Sequence, residues 1–415
     1  MDEEAHLKQM KLLGELDYEQ VRRRVQSRQL SVNTIVNFSR KYYKCYYTYE
    51  VDRTTMIQVT ILNMAIRFSD ENFVDYLLAK KAINVSLSTE DMGPVIFSAV
   101  HMRSLKFVEK LVTAGANVNQ SRYESAVFKM NHTPLEMAAE VNAQDVARFL
   151  IKKGAAVNNQ LEVFPQTLPL LVALKYDNAL MTKLLVDSGA NINKVTVSKG
   201  QVTFPLKACV VSKHRFKRNQ QGLEILLKNP TIKLDTTDEN NRSVLHLAMD
   251  KGDTEVLQML LDAGCDVNLL DRKNQLPVDV DSTEKSCLII HEHIVKLVIA
   301  GFDLRNRNLS VVSENLEFRE KCKEEIEMMK SLFCDPVTGL RCFDILKRPL
   351  GQIARKIKEV SKEDVDRLTY NFPLYGGMLV YKLARAEGYK KLRKSAQKIL
   401  EKVFCEFDLP QRHDI

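Results

Sequence analysis

Cys287, His291 and His293 place a thiol and two imidazoles within seven residues, which is zinc-ligand chemistry. Cys287 and His291 share a helical face at i, i+4, but His293 points elsewhere and no fourth donor stands near, so no metal is expected. Cys334 and Cys342 lack the Cys-x-x-Cys spacing of thiol exchange and have no companion pair. His246, in "VLHLA", reads as structural and not catalytic. Neither a phosphate-binding G-x-x-x-x-G-K-[ST] nor a G-x-G-x-x-G occurs, and the Gly376-Gly377 pair alone reads as a turn. No Ser, His and acid arrangement announces itself. The expectation is a protein without catalytic residues and without a cofactor.

The elements around these residues repeat. "LVTAGANVN", "LIKKGAAVN", "LLVDSGANIN" and "LLDAGCDVN" are variants of one phrase, with Gly115, Gly154, Gly189 and Gly264 at one position. Sixteen residues before each Gly stands an Ala closing a second phrase: "GPVIFSA" at Ala99, "HTPLEMA" at Ala138, "TLPLLVA" at Ala173 and "RSVLHLA" at Ala248. A worn copy ends at Ala65. Thr133 can cap a helix whose first turn tolerates Pro134, and Pro169 occupies the same place one repeat later. Val146, Phe149 and Leu150 form the apolar stripe of a second helix. Gly154 then ends it in a conformation that a side chain resists. "KHRFKRNQQG" reads as an insertion in the fifth copy, and "QLPVDVDSTEKSCLIIHEHIVKLVIAGFDL" as a last degenerate copy with Gly301 in the Gly position.

These phrases resemble the ankyrin repeat, whose period is about 33 residues. The resemblance implies an all-α solenoid of about six to seven repeats over residues 51–313, the fifth with the insertion. Residues 1–50, with the aromatic string "KYYKCYYTYE", are expected to form a helical N-terminal cap. The loop between Asn119 and Thr133 is longer than the others and puts Tyr123 and Phe128 on an extended finger. Those two residues are candidate contacts for a protein partner.

Past Glu314 the phrase disappears, and residues 314–415 read as a small helical domain. Phe318, Cys322, Ile326, Met329 and Phe333 fall at helical spacing, and Pro349 should start another helix. Gly376-Gly377 should turn into a short helix followed by a longer one. The ordered stretches "CKEEIEMMKS", "CFDILKRPLGQIARKI", "FPLYGGMLVYKL" and "KILEKVFCEFDLP" resemble the PRANC domain of poxviral and parasitoid-wasp ankyrin proteins. Members of that family often end in an F-box-like stretch opening with Leu-Pro. Leu409-Pro410 match the opening and "QRHDI" follows, so the F-box-like end is expected to be truncated. The resemblance implies host-directed or signalling-modulating work, with a cullin ubiquitin ligase adaptor as an alternative partner held by Leu409 and Pro410.

Composition sets the remaining bounds. The net charge of +8 on 415 residues is unevenly placed, with 16 Lys/Arg against 7 Asp/Glu between Arg341 and Val403. Nucleic acid binding by this basic region is a further, less favoured alternative. No apolar stretch approaches the roughly 18 residues of a membrane helix, so no membrane partner is expected. The eight scattered cysteines read as reduced thiols of a cytoplasmic or nuclear protein. The leading expectation is a non-catalytic scaffold that grips a protein partner.

Overall fold

Short helices begin where a side chain can take up the free N–H groups of a first turn. Thr60 accepts from the Asn63 N–H at 3.0 Å, Asp70 from Phe73 at 3.0 Å and Thr133 from Glu136 at 3.2 Å. The computed structural model describes residues 18–39, 56–89, 92–121, 133–158, 168–176, 178–198, 200–211, 220–310 and 316–406. Helices dominate, and the strands form four two-stranded hairpins. The chain divides into two compact units, Met1–Asn191 and Ile192–Ile415. That division falls inside the repeats, not at Glu314.

In the first unit, α1 (Tyr18–Gln26) precedes an antiparallel hairpin of β1 (Ile35–Ser39) and β2 (Met56–Thr60), with Ile35 opposite Thr60. Helix pairs follow: α2 (Ile61–Arg67) with α3 (Glu71–Leu78), and α4 (Val95–His101) with α5 (Leu105–Thr113). Next come α6 (Pro134–Glu140) with α7 (Gln144–Lys152), and α8 (Pro169–Lys175) with α9 (Ala179–Asp187). A hairpin of β3 (Ser88–Thr89) and β4 (Gly93–Pro94) leads into α4. First helices pack in series, α2 on α4, α4 on α6 and α6 on α8. Ala65, Ala99, Ala138 and Ala173 are completely buried in that row, where a larger side chain would hold the helices apart. The described part of residues 1–50 holds α1 and β1. The aromatic string at 41–50 lies outside the described residues.

In the second unit, β5 (Thr196–Ser198) and β6 (Gln201–Thr203) form a hairpin before α10 (Pro205–Val211) and α11 (Gln220–Lys228). Eight residues separate these two helices where three separate α4 from α5, so the extra chain lies between them. The run "KHRFKR" itself is outside the described residues. The pair α12 (Val244–Lys251) and α13 (Thr254–Asp262) follows. A 3-10 turn at Pro277–Asp279 then leads to the long α14 (Glu284–Ile299) and the short α15 (Asn306–Leu309).

The same unit continues through α16 (Leu316–Ser331), a hairpin of β7 (Phe333–Asp335) and β8 (Leu340–Arg341), and α17 (Cys342–Lys347). It ends with α18 (Leu350–Lys356), α19 (Lys362–Asn371) and α20 (Gly376–Glu406). The inner face of α16 comprises Cys322, Ile326 and Met329, while Phe333 is on β7 and 46% exposed. The expected turn and two helices after Gly376 are one helix of 31 residues. Close packing explains why glycines stand inside it. A Cβ at Gly377 would overlap the Asp262 carboxylate, and one at Gly388 would lie 2.8 Å from Pro230 Cδ. Helix α20 therefore rests directly on α11, on α13 and on the loop that follows α11. Its N-terminus is fixed by Glu325 of α16, whose carboxylate accepts from the Leu374 N–H at 3.1 Å and the Tyr375 N–H at 2.8 Å. Burial pushes the Glu325 carboxyl up. The buried Tyr375 hydroxyl donates to the Lys296 carbonyl at 2.9 Å.

Candidate partner-binding surface

An asparagine at the end of each repeat phrase bridges to the next repeat. Asn119 Nδ2 donates to the Gly154 carbonyl at 3.0 Å, and its Oδ1 accepts from the Ala156 N–H at 2.8 Å. Asn158 makes the same pair of bonds to Gly189 and Asn191 at 2.8 and 2.7 Å. Asn193 does so to Thr231 and Lys233, and Asn268 to Asp303 and Arg305. Asn33, far from any clear phrase, bonds Ala82 and Asn84 in this way at 2.7 and 2.8 Å. The bridges fix the bases of successive loops. Gly115, Gly154, Gly189 and Gly264 hold φ between +86° and +97° just before them, with open space where a Cβ would point. Backbone conformation, not crowding, therefore demands glycine there.

Within the second unit the loops are also bonded to one another. Glu239 Oε2 accepts from the Val202 N–H of β6 at 2.9 Å and from Lys207 Nζ at 3.3 Å. The Val202 N–H, above all, holds the Glu239 carboxyl down to about 2, with its own N–H and Lys207 assisting. Asp238, buried, accepts from the backbone of Asn240 and Arg242 and pairs with the Arg242 guanidinium at 3.1 Å. The Arg272 N–H donates to the Asn240 carbonyl at 2.9 Å, and Arg307 donates to the Asn274 carbonyl at 3.0 Å. His246 joins two of these layers. Its Nδ1 accepts from the Ser243 N–H at 3.1 Å, so Nε2 carries the proton and donates to the Gln275 carbonyl at 3.0 Å. Burial lowers the His246 pKa and keeps the ring neutral. The result is a row of loops held in one arrangement, from which Val197 projects with 65% exposure.

In the first unit, the last residues of the first helices form a polar row. Arg67 Nη1 stands 3.4 Å from His101 Nδ1, and the Tyr176 hydroxyl donates to Glu140 Oε1 at 2.7 Å. Each of Arg67, His101 and Glu140 lies two positions after the Ala of its phrase, a regularity from which the sequence could have yielded this row. The helices α3 and α5 carry exposed ion pairs, Lys106–Glu71 and Lys110–Asp75, of the kind that contribute little to stability.

The remaining candidate residues are placed as follows. Thr133 and Glu136 form a reciprocal cap on α6, the Thr133 N–H donating to Glu136 Oε2 at 2.8 Å. Pro134 and Pro169 open α6 and α8, and Ala138, Ala173 and Ala248 are completely buried. Tyr123, Phe128, Leu409 and Pro410 lie outside the described residues. His293 is buried, its Nδ1 has no hydrogen-bond partner, and burial lowers its pKa to about 3. Among the described residues no His, Cys, Asp and Glu group could hold a metal ion, and no helix is long and apolar enough to cross a membrane.

The family model described as "Ankyrin repeats (3 copies)" matches residues 62–161 and 166–271. An ankyrin repeat protein of Fowlpox virus (strain NVSL) is 25% identical over 299 residues, covering 66% of this chain and 82% of its own length. Rabankyrin-5 of Homo sapiens is 27% identical over 164 residues, which are 38% of this chain and 13% of that protein. The chain thus spans most of the first relative and a small part of the second. The ankyrin repeat domain of Bcl-3 is similar to 56% of this chain at a TM-score of 0.48 and 22% identity, with 98% of that domain covered.

Proposed function

Because residues 62–161 and 166–271 are ankyrin repeats, which indicate a protein–protein interaction scaffold, we propose that a protein partner is held by the loops between repeats and the first helices of the repeats. Ankyrin repeat proteins are typically non-catalytic. The observation that carries this reading is the bonded row of loops from Val202 through Glu239, Asn240 and Arg272 to Asn274 and Arg307. Loops fixed in advance lose little entropy on binding, so a partner meets a surface already arranged. Val197 and the Arg67, His101 and Glu140 row supply an apolar and a polar contact on their respective units. The resemblance of residues 315–410 to the PRANC domain of ankyrin proteins supports reading the partner as a host protein.

A photo-crosslinking residue placed at position 197 or 140, and separately at position 106 on α5, tests this in cell extract. Capture of a discrete protein from 197 or 140 and not from 106 is the expected result. Capture from 106 alone would place the partner on the outer helices and overturn the reading.

A further inference from the structure

Positive charge in the second unit gathers on one arc of α20. Met378, Leu379, Leu383 and Ala386 bury the first half of that helix, whereas every residue from Lys391 to Lys398 is exposed. At about 100° per residue, Arg393, Gln397, Lys390, Lys394, Lys398 and Lys391 follow one another round about 160° of the helix. No apolar residue between 390 and 398 falls inside this arc, since Leu392 and Ala396 lie on the other side. Lys391, Lys394 and Lys398 form its outer row, roughly a quarter turn from Gly388 and nearly opposite Tyr389. Those two positions mark the sides already taken, Gly388 by Pro230 and Tyr389 by Gly351 of α18.

The end of α18 extends the cationic surface. Lys390 donates to the Ile357 carbonyl at 2.6 Å, which brings that end beside the arc. Arg355 and Lys358 are exposed there, and Lys356 is half-buried. Residues 355–359 and 387–398 together carry eight Lys/Arg against two Glu. Lys391 pairs with Glu387 at 2.7 Å, and Lys358 stands 3.9 Å from Asp335. Arg393, Lys394 and Lys398 make no ion pair with a described residue, so their charge is available to a partner.

We propose that this arc binds the phosphate backbone of a nucleic acid duplex. The chemistry of the face selects the occupant. A protein interface is anchored by buried aromatic or apolar side chains, and the arc has none. A single strand is held by stacking its bases on aromatic rings, and Tyr389 lies nearly opposite, against α18. A bilayer takes up a helix by an apolar face, which Leu392 and Ala396 alone do not make. A duplex asks only for cations that reach its phosphates. Lys391 to Lys398 span about 10 Å of the helix axis, over which one strand of a duplex presents about three phosphates. Contacts of this kind carry no base code, and DNA and RNA duplexes share the chemistry.

The test is fluorescence anisotropy of short labelled DNA and RNA duplexes titrated with the full chain at several salt concentrations. Binding is expected to be indifferent to base sequence and to weaken steeply with salt. Binding of either duplex supports the proposal, and the tighter of the two identifies the source of the phosphates. Lys394→Gln/Lys398→Gln should lower affinity about tenfold at low salt and reduce the slope of log affinity against log salt by about two. Leu392→Gln, outside the arc, should bind as wild type. So should Val197→Asp, which separates this proposal from the partner reading. The altered residues are exposed, and an unchanged melting temperature confirms that each variant folds. Absence of salt-dependent binding at low ionic strength would overturn the proposal. So would tighter binding to a single strand of the same length, wild-type affinity in the lysine pair variant, or retention on phosphatidylserine vesicles with neither duplex bound.

Discussion

Asn119 satisfies a carbonyl and an N–H of the following repeat with one amide, so its removal strands two backbone groups at once. Asn119→Ala is expected to cost about 1–3 kcal/mol, read as a lowered denaturation midpoint. Asn119→Asp, which keeps only the acceptor, should fall between. Histidines set the acid side of stability. His246 and His293 both have pKa values lowered by burial, so the folded state excludes a proton that the unfolded chain accepts near pH 6.5. Stability is therefore present above that pH and is lost as pH falls through it toward the folded pKa values. Glu325 and Asp262, raised by burial, act in the opposite sense at lower pH. A difference measurement isolates the histidine: the melting temperature of His293→Leu relative to wild type should rise as pH drops from about 7 to about 5. A constant difference would show that His293 is not the proton-excluding group. The glycine and proline positions of the repeats were legible because backbone demand at one position recurs in every copy. The Arg67, His101 and Glu140 row was passed over because its residue types differ while only the position repeats.

Helix α20 reverses a local rule. By intrinsic preference Gly388→Ala should strengthen a helix by about 1 kcal/mol. The Pro230 ring lies where the methyl would go, and a ring fixed in a loop cannot swing aside. Overpacking of about 1–3 kcal/mol should win, so the variant is expected to melt lower than wild type. A higher melting temperature would mean that α20 does not sit on this loop. Gly376-Gly377 suggested a turn in the sequence because a glycine's local tendency is visible and its distant neighbour is not. The repeat helices were readable for the converse reason: caps, apolar stripe and small alanine all agree within a few residues. Phe333 kept helical spacing from Phe318 yet lies on a strand. The hairpin of β7 and β8 intervenes, with Gly339 at φ +66° in its turn.

At the scale of the molecule, the repeat phrase stops near residue 313 while the packing does not. Asp262 and Pro230 of the repeats meet Gly377 and Gly388, and Glu325 fixes the entrance to α20. A chain ending before Gly376 should therefore lose hydrogen-exchange protection in α13 as well as in α18 and α19. Full protection of α13 in that truncation would show that the last repeats fold without the helix. Contacts so far apart in sequence have no periodicity, which is why the end of the repeat phrase at 314 gave no sign of them. The central claim concerns the loops and first helices of the repeats, and affinity tests it most directly. The partner captured from position 197 or 140 would be titrated against wild type, Val197→Asp, Glu140→Lys and the outer pair Lys106→Glu/Lys110→Glu, all matched in melting temperature. The account predicts that the variant at the capture position weakens binding by about tenfold or more and that the Lys106/Lys110 pair leaves it unchanged. Unchanged affinity in both Val197→Asp and Glu140→Lys, with loss in the Lys106/Lys110 pair, would contradict it.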